Sequence, residues 1–137
     1  MSFTLHPRLA QDSLPVADLP LCQVRLMNDA RFPWLLLVPR RDGLRELHQL
    51  DAGERVRLIE EIALVSRVLE LVYRPDKLNI GALGNLVPQL HVHVVARFQS
   101  DAAWPGPVWG SGAAHPYPAE RLAQTLERLR QRCTGQS

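Results

Sequence analysis

The chain has 137 residues, 46% of them hydrophobic and 22% charged, which suits one soluble domain over residues 1–137 with a sizeable core. Its 16 basic and 14 acidic residues are interleaved, so the formal charge of +2 forms no basic stripe that would track a nucleic-acid backbone, and no nucleic-acid partner is expected. No run approaches the roughly 18 uninterrupted apolar residues of a membrane span, and the N-terminus lacks a basic segment followed by an apolar run, so neither membrane association nor secretion is expected.

Cys22 and Cys133 lie far apart in sequence, with neither C-x-x-C spacing nor a metal-like cluster. They are expected to be free thiols in a reducing, cytoplasmic setting. The 11 prolines include clusters in residues 5–20 and 104–118, which read as loops. Between Leu21 and Met27, alternation of Leu21, Gln23, Arg25 and Met27 with Cys22, Val24 and Leu26 predicts a strand. Asn28 and Asp29 turn the chain, and Trp34 to Val38 is apolar on both faces, as in a central strand covered on each side and closed by Pro39. The two strands read as a hairpin. A short helical turn is predicted at 44–48.

Asp51 followed three residues later by Glu54 gives a capping-box pattern for a long helix over Ala52–Tyr73, which Arg74 and Pro75 end. Val56, Ile59, Ile62, Ala63, Ser66, Leu69 and Tyr73 form an apolar stripe suited to cover a sheet, widened by Leu58, Val65, Val68 and Val72; a partner surface is the alternative. Two more strands are predicted at 77–83 and 89–97, joined through Gly84 and Asn85, where a glycine permits close approach of backbone to a ligand. Pro118 and the spacing of Leu122, Leu126 and Leu129 predict a C-terminal helix with Arg128, Arg130 and Arg132 near its negative end. The expected fold is α+β, a mostly antiparallel sheet of about five strands with one long helix and a C-terminal helix.

The most informative stretch is Gln89-Leu90-His91-Val92-His93-Val94-Val95, whose alternation places Gln89, His91 and His93 on one face of a strand. Residues two apart on a strand are separated by roughly 6.6 Å, so both imidazoles can reach one small group such as a phosphoryl. A neutral imidazole is a competent nucleophile at phosphorus, with His91 as the central candidate and His93 able to donate to oxygens on which charge develops. His6, His48 and His115 read as ordinary hydrogen-bonded residues. An H-x-H pair on a strand also suits a metal, with His115 as a distant third ligand.

These residues carry a resemblance to the histidine-triad (HIT) family, nucleotidyl hydrolases and transferases marked by alternating histidines. QLHVHVV matches that mark with Gln89 in the first triad position, His91 in the middle and His93 in the third. DARFPWLLLVPR at 29–40, KLNIGALGNLVPQLHVHVVARF at 77–98 and DAAWPGPVWG at 101–110 resemble a group of small bacterial HIT proteins, so the similarity covers about residues 20–110.

The resemblance implies that His91 forms a nucleotidyl intermediate while His93 contacts the scissile phosphate. It assigns phosphate-side contacts to Asn79, Gly84 and Asn85, the ribose hydroxyls to Asp29, and the wall around the base to Leu26, Met27 and Phe32. Gln89 replaces a histidine, Asp42 falls near another position where many members have one, and Leu86 stands where the family is often hydroxylated. Asp29 also has a purely local reading as an Asx turn with Asn28.

The implied activity is cleavage of an α-phosphate bond in a dinucleoside polyphosphate or a nucleoside phosphoramidate, without metal or other cofactor, by a homodimer. The alternative is a nucleotide-binding or regulatory module without turnover.

Overall fold

Short strands with opposite-facing side chains pair throughout as antiparallel neighbours in the computed structural model, which describes residues 3–134. In chain order the elements are α1 (Pro7–Asp12), β1 (Ser13–Asp18), β2 (Cys22–Met27), β3 (Trp34–Pro39), α2 (Ala52–Tyr73), β4 (Lys77–Gly81), β5 (Val92–Arg97) and α3 (Ala119–Cys133), with a single 3-10 turn at Leu47–Gln49 before α2. The five strands lie in the order β1-β2-β3-β5-β4. Thus the expected α+β fold, the β2–β3 hairpin and both long helices are present.

Period-two alternation splits the sheet's side chains between two cores. Leu26, Leu35, Leu37, Val92 and Val94 face α2 and α3 and pack with Val65, Leu69, Leu126 and Leu129. Trp34, Leu36, Val38 and Val95 face the other way and pack with Leu9, Phe32, Val87 and Val108. All six residues of β3 are buried, because that strand is covered on both faces. The second face holds the histidines.

Helix α2 begins with the predicted capping box: Glu54 N–H donates to Asp51 Oδ1 at 2.8 Å and Asp51 N–H to Glu54 Oε1 at 3.1 Å. It ends at Arg74, which takes the left-handed conformation just before Pro75. The buried stripe differs from the predicted one. Val56 and Ile59 are 65% and 62% exposed, whereas Leu58, Glu61, Val65, Val68 and Leu69 are buried. The reason is Glu61, whose carboxylate lies at the start of β2 and accepts from the Leu21 and Cys22 N–H groups, both at 2.8 Å. A charged residue in the middle of the buried face conceals that face from hydropathy.

Residues 5–20 are not a loop. Pro7 occupies the first turn of α1, where its missing N–H costs nothing, and His6 Nδ1 accepts from Arg8 N–H at 3.0 Å. Pro15 lies in β1, at the sheet edge and beside a break in register with β2. The last two strands are shorter than predicted: β4 stops at Gly81, opposite His93, and β5 starts only at Val92. Residues 82–91 leave the ladder, and Leu90 N–H donates instead to Leu44 O at 2.9 Å.

The long connection after β5 is held by a buried ion pair. Arg97 donates from Nε and Nη2 to the two oxygens of Asp101, at 2.8 and 3.1 Å, and further to Asn79 Oδ1 at 2.7 Å and Gly106 O at 2.8 Å. Asp101 also accepts from the N–H groups of Phe98, Ala103 and Trp104. Burial works to raise the Asp101 carboxyl, but these donors outweigh it and hold the group well below its ordinary value. Asp101→Ala would leave the Arg97 charge buried without its partner and is expected to cost about 3–5 kcal/mol in urea unfolding. A loss under about 1 kcal/mol, the size of an exposed pair, would show that the pair does not hold the loop.

Candidate active site

His93 sits on β5 between Leu36 of β3 and Gly81 of β4, and His91 precedes the strand on the same face. Their ring centroids are 4.9 Å apart, and both side chains are buried. They lie in the floor of a cavity of about 710 Å³, within the roughly 300–1,000 Å³ of small-molecule sites. Its walls come from α1, from the turn after β2, from residues 83–87 and from residues 108–112.

The two imidazoles are held in complementary states by partners that can act in one way only. Trp34 Nε1, which can only donate, lies 3.0 Å from His93 Nδ1, so the proton of neutral His93 is on Nε2. The backbone carbonyl of Gln89, which can only accept, lies 2.7 Å from His91 Nδ1, so in the neutral ring that nitrogen carries the proton and the lone pair is on Nε2. Burial, helped by the nearby His91, pushes His93 down to about 3. His93 therefore stays an uncharged donor at neutral pH, beside an imidazole with an open lone pair.

Two tryptophans frame this pair. Trp34 and Trp109 lie 5.7 and 5.3 Å from the His93 ring, centroid to centroid. Trp109 can pass over β4 because Gly81 has no side chain: a Cβ there would meet Trp109 Cη2 at 3.2 Å. Gly84, in the cavity wall, has φ of +75°, a left-handed backbone that favours glycine in this turn.

Of the residues singled out from sequence, His91, His93, Asp29, Gly84, Asn85 and Met27 line the cavity. Four others do not. Leu26 belongs to the opposite face of the sheet, one residue out of phase with Met27. Phe32 is fully buried in the core beneath the site. The Asn79 amide is taken by Arg97, and the Gln89 side chain turns out of the histidine row, accepting from His6 N–H at 2.8 Å and donating to Thr4 O at 2.9 Å.

Asp29 is buried and heavily bonded. Its Oδ1 accepts from Arg31 N, Arg31 Nε and His115 N, while Oδ2 accepts only from Arg31 Nη2 at 2.9 Å. The Asx-turn contact is thus to Arg31, and Oδ2 retains an unused acceptor position. Burial would raise this carboxyl, but the Arg31 side chain and the backbone donors hold it below its ordinary value.

Sequence reasoning missed Trp34, Trp109, Arg31 and the α1 residues Arg8, Leu9 and Asp12 as parts of the site. Trp34 and His93 are diagonal neighbours across β3 and β5, a relation visible only once the strand register is known. Among the described residues, no group of three or more His, Cys, Asp or Glu side chains could hold a metal ion, and His115 makes no third ligand. No helix among them is long and apolar enough to cross a membrane.

The buried state of His93 sets a pH dependence. The folded chain keeps it neutral down to about pH 3, whereas the unfolded chain protonates it near its ordinary value of 6.5. In that window the unfolded state binds more protons, so stability falls as pH drops. His93→Gln cannot protonate but still offers an acceptor to Trp34, and should flatten the fall in unfolding free energy over this range. An unchanged slope in urea titrations would mean that His93 is not held neutral.

The HIT domain family model matches residues 8–100. The chain superposes on a histidine triad protein from Bradyrhizobium japonicum with a TM-score of 0.94 and 47% identity, covering 97% of this chain and 99% of that one. A histidine triad protein from Sinorhizobium meliloti 1021 gives 0.92 and 48%, covering 95% and 96% of the two chains. One from Marinobacter aquaeolei VT8 gives 0.95 and 42%, covering both chains fully at 100%. No curated protein matches. Motif, fold and these similarities agree: the chain belongs to the histidine triad (HIT) family.

Proposed function

We propose that this chain is a nucleotide hydrolase or nucleotidyl transferase that cleaves an α-phosphate bond of a dinucleoside polyphosphate or nucleoside phosphoramidate through a nucleotidyl-histidine intermediate. Membership of the family implies nucleotide binding or hydrolase and transferase chemistry. The observation that carries the finer reading is the pair of complementary tautomers, a lone pair on His91 Nε2 beside an N–H on His93 Nε2.

In this reading His91 Nε2 attacks the α-phosphorus. A P–N bond forms as the bond to the leaving group breaks, and the electron pair departs with that group, which takes up a proton. His93 Nε2–H donates to a non-bridging oxygen or to the leaving atom as charge builds there, without a charge of its own. Water then attacks the nucleotidyl-histidine: a P–O bond forms, the P–N bond breaks with its electron pair returning to His91 Nε2, and the proton released by the water offsets the one taken up by the leaving group. The Gly84–Asn85 turn borders the phosphate, Asp29 Oδ2 takes a ribose hydroxyl, and Met27 with the exposed Leu83 and Leu86 offers apolar surface to the base.

His91→Ala should lower turnover by more than about 10⁴-fold while nucleotide binding persists, because a nucleophile acts on the transition state. Mass spectrometry after an acid-free quench should find the adduct on His91. An adduct elsewhere, or undiminished turnover by the variant, sinks the assignment, and nucleotide binding without turnover by the wild type selects the regulatory alternative.

The reading includes a homodimer in a cytoplasmic setting. Exposed Val56, Ile59 and Leu71 on α2 and Ile80 on β4 are apolar surface that such pairing could cover. Sedimentation as a monomer at micromolar concentration would remove the dimer.

A further inference from the structure

Residues 3–12 cross the histidine face of the sheet as a strap. Leu9 is buried, and Phe3 and Leu5 pack against the same core, which includes Phe32 and Trp34. Beyond α1 the strap is fastened by Ser13, whose hydroxyl donates to Leu9 O and accepts from Arg25 Nε at 2.7 Å. Asn28 N–H donates to Asp12 O at 3.0 Å, which sets the end of α1 against the turn carrying Asp29. The strap is therefore the cavity wall beside Met27 and Asp29, on the nucleoside side of the proposed site.

Ahead of α1 the strap is clamped by the amide of Gln89, which accepts from His6 N–H and donates to Thr4 O. A primary amide carries acceptor and donor side by side, so it can bond one edge of an extended chain as a neighbouring strand would. The two nitrogens of an imidazole diverge and cannot meet both groups, and a carboxylate lacks the donor. The main chain of the same residue acts in the opposite direction, since its carbonyl fixes the proton on His91 Nδ1.

We propose that the side chain of Gln89 is a positioning group, separable from the carbonyl that bonds His91: it anchors the strap that shapes the nucleoside pocket. Its part in the pocket rests on the nucleotide reading; the anchoring of the strap does not. Side-chain substitution leaves the carbonyl in place, so the effect of removing the amide falls on substrate binding and not on the chemical step. A residue two positions before the nucleophile thus sets nucleoside affinity through its side chain.

The test uses Gln89→Leu and Gln89→Glu, so that misfolding of one does not end it. Amide hydrogen exchange in residues 4–9 should accelerate about tenfold in Gln89→Leu, the order expected from losing two hydrogen bonds, and by less in Gln89→Glu, which keeps the acceptor for His6 N–H and loses only the donor to Thr4 O. In parallel, KM for an adenosine phosphoramidate, or the Kd for AMP, should rise by about tenfold while kcat stays within a few-fold. Unchanged exchange overturns the anchor. Faster exchange with unchanged KM and Kd overturns the role in the pocket, and loss of kcat at constant KM transfers Gln89 to the chemical step. A wild type that neither binds nor turns over nucleotide defeats the nucleotide reading and the pocket half with it, while the exchange result still decides the anchor.

Discussion

The buried pair of Arg97 and Asp101 is the constraint on which the histidine face depends. A charge taken out of water is tolerated only where opposite charge and hydrogen bonds replace its hydration, and this guanidinium has a bidentate carboxylate, an amide and a carbonyl around it. One end of the pair is on β5, and the other organises the chain that follows. Through Asp101 and Gly106, the segment carrying Val108 and Trp109 is drawn over the sheet, where Trp109 reaches His93. Asn79 is spent on this structural task, which is why a residue on the same face as the histidines takes no place in the cavity.

With that face closed, burial sets the chemistry of His93. An imidazole in water would be partly protonated near neutral pH, and two adjacent ones would repel. Covered by Trp34 and Trp109 and placed next to His91, His93 is kept neutral, and the indole N–H of Trp34 selects the tautomer. The Gln89 carbonyl does the same for His91 in the reverse sense. One ring then offers a proton and the other a lone pair, although both are the same residue type on the same face.

Much of this architecture was legible in local pattern. The capping box and the Arg74-Pro75 stop bounded α2 because helix ends are governed by nearby backbone donors and by proline geometry. The alternation of His91 and His93 was legible because strand side chains have a fixed period. The N-terminal segment was not, since Pro7 and Pro15 read as breakers; one occupies a helix first turn and the other an edge strand, where a missing N–H is harmless. Glu61 hid the buried face of α2 because its burial depends on two backbone N–H groups forty residues earlier in the chain.

The sequence by itself determined the order and type of the elements from β2 onward, though not where β4 stops and β5 starts, together with the placing of two histidines on one face and the HIT pattern, because each depends on short-range spacing. Tertiary structure decided which side chains meet. It placed Leu26 away from the site and Met27 in it, committed Asn79 to Arg97, and turned Gln89 from the histidine row to Thr4 and His6. It also decided the tautomer of both imidazoles, because a tautomer is fixed by the partner across the hydrogen bond, and the partner of His93 is a tryptophan 59 residues away.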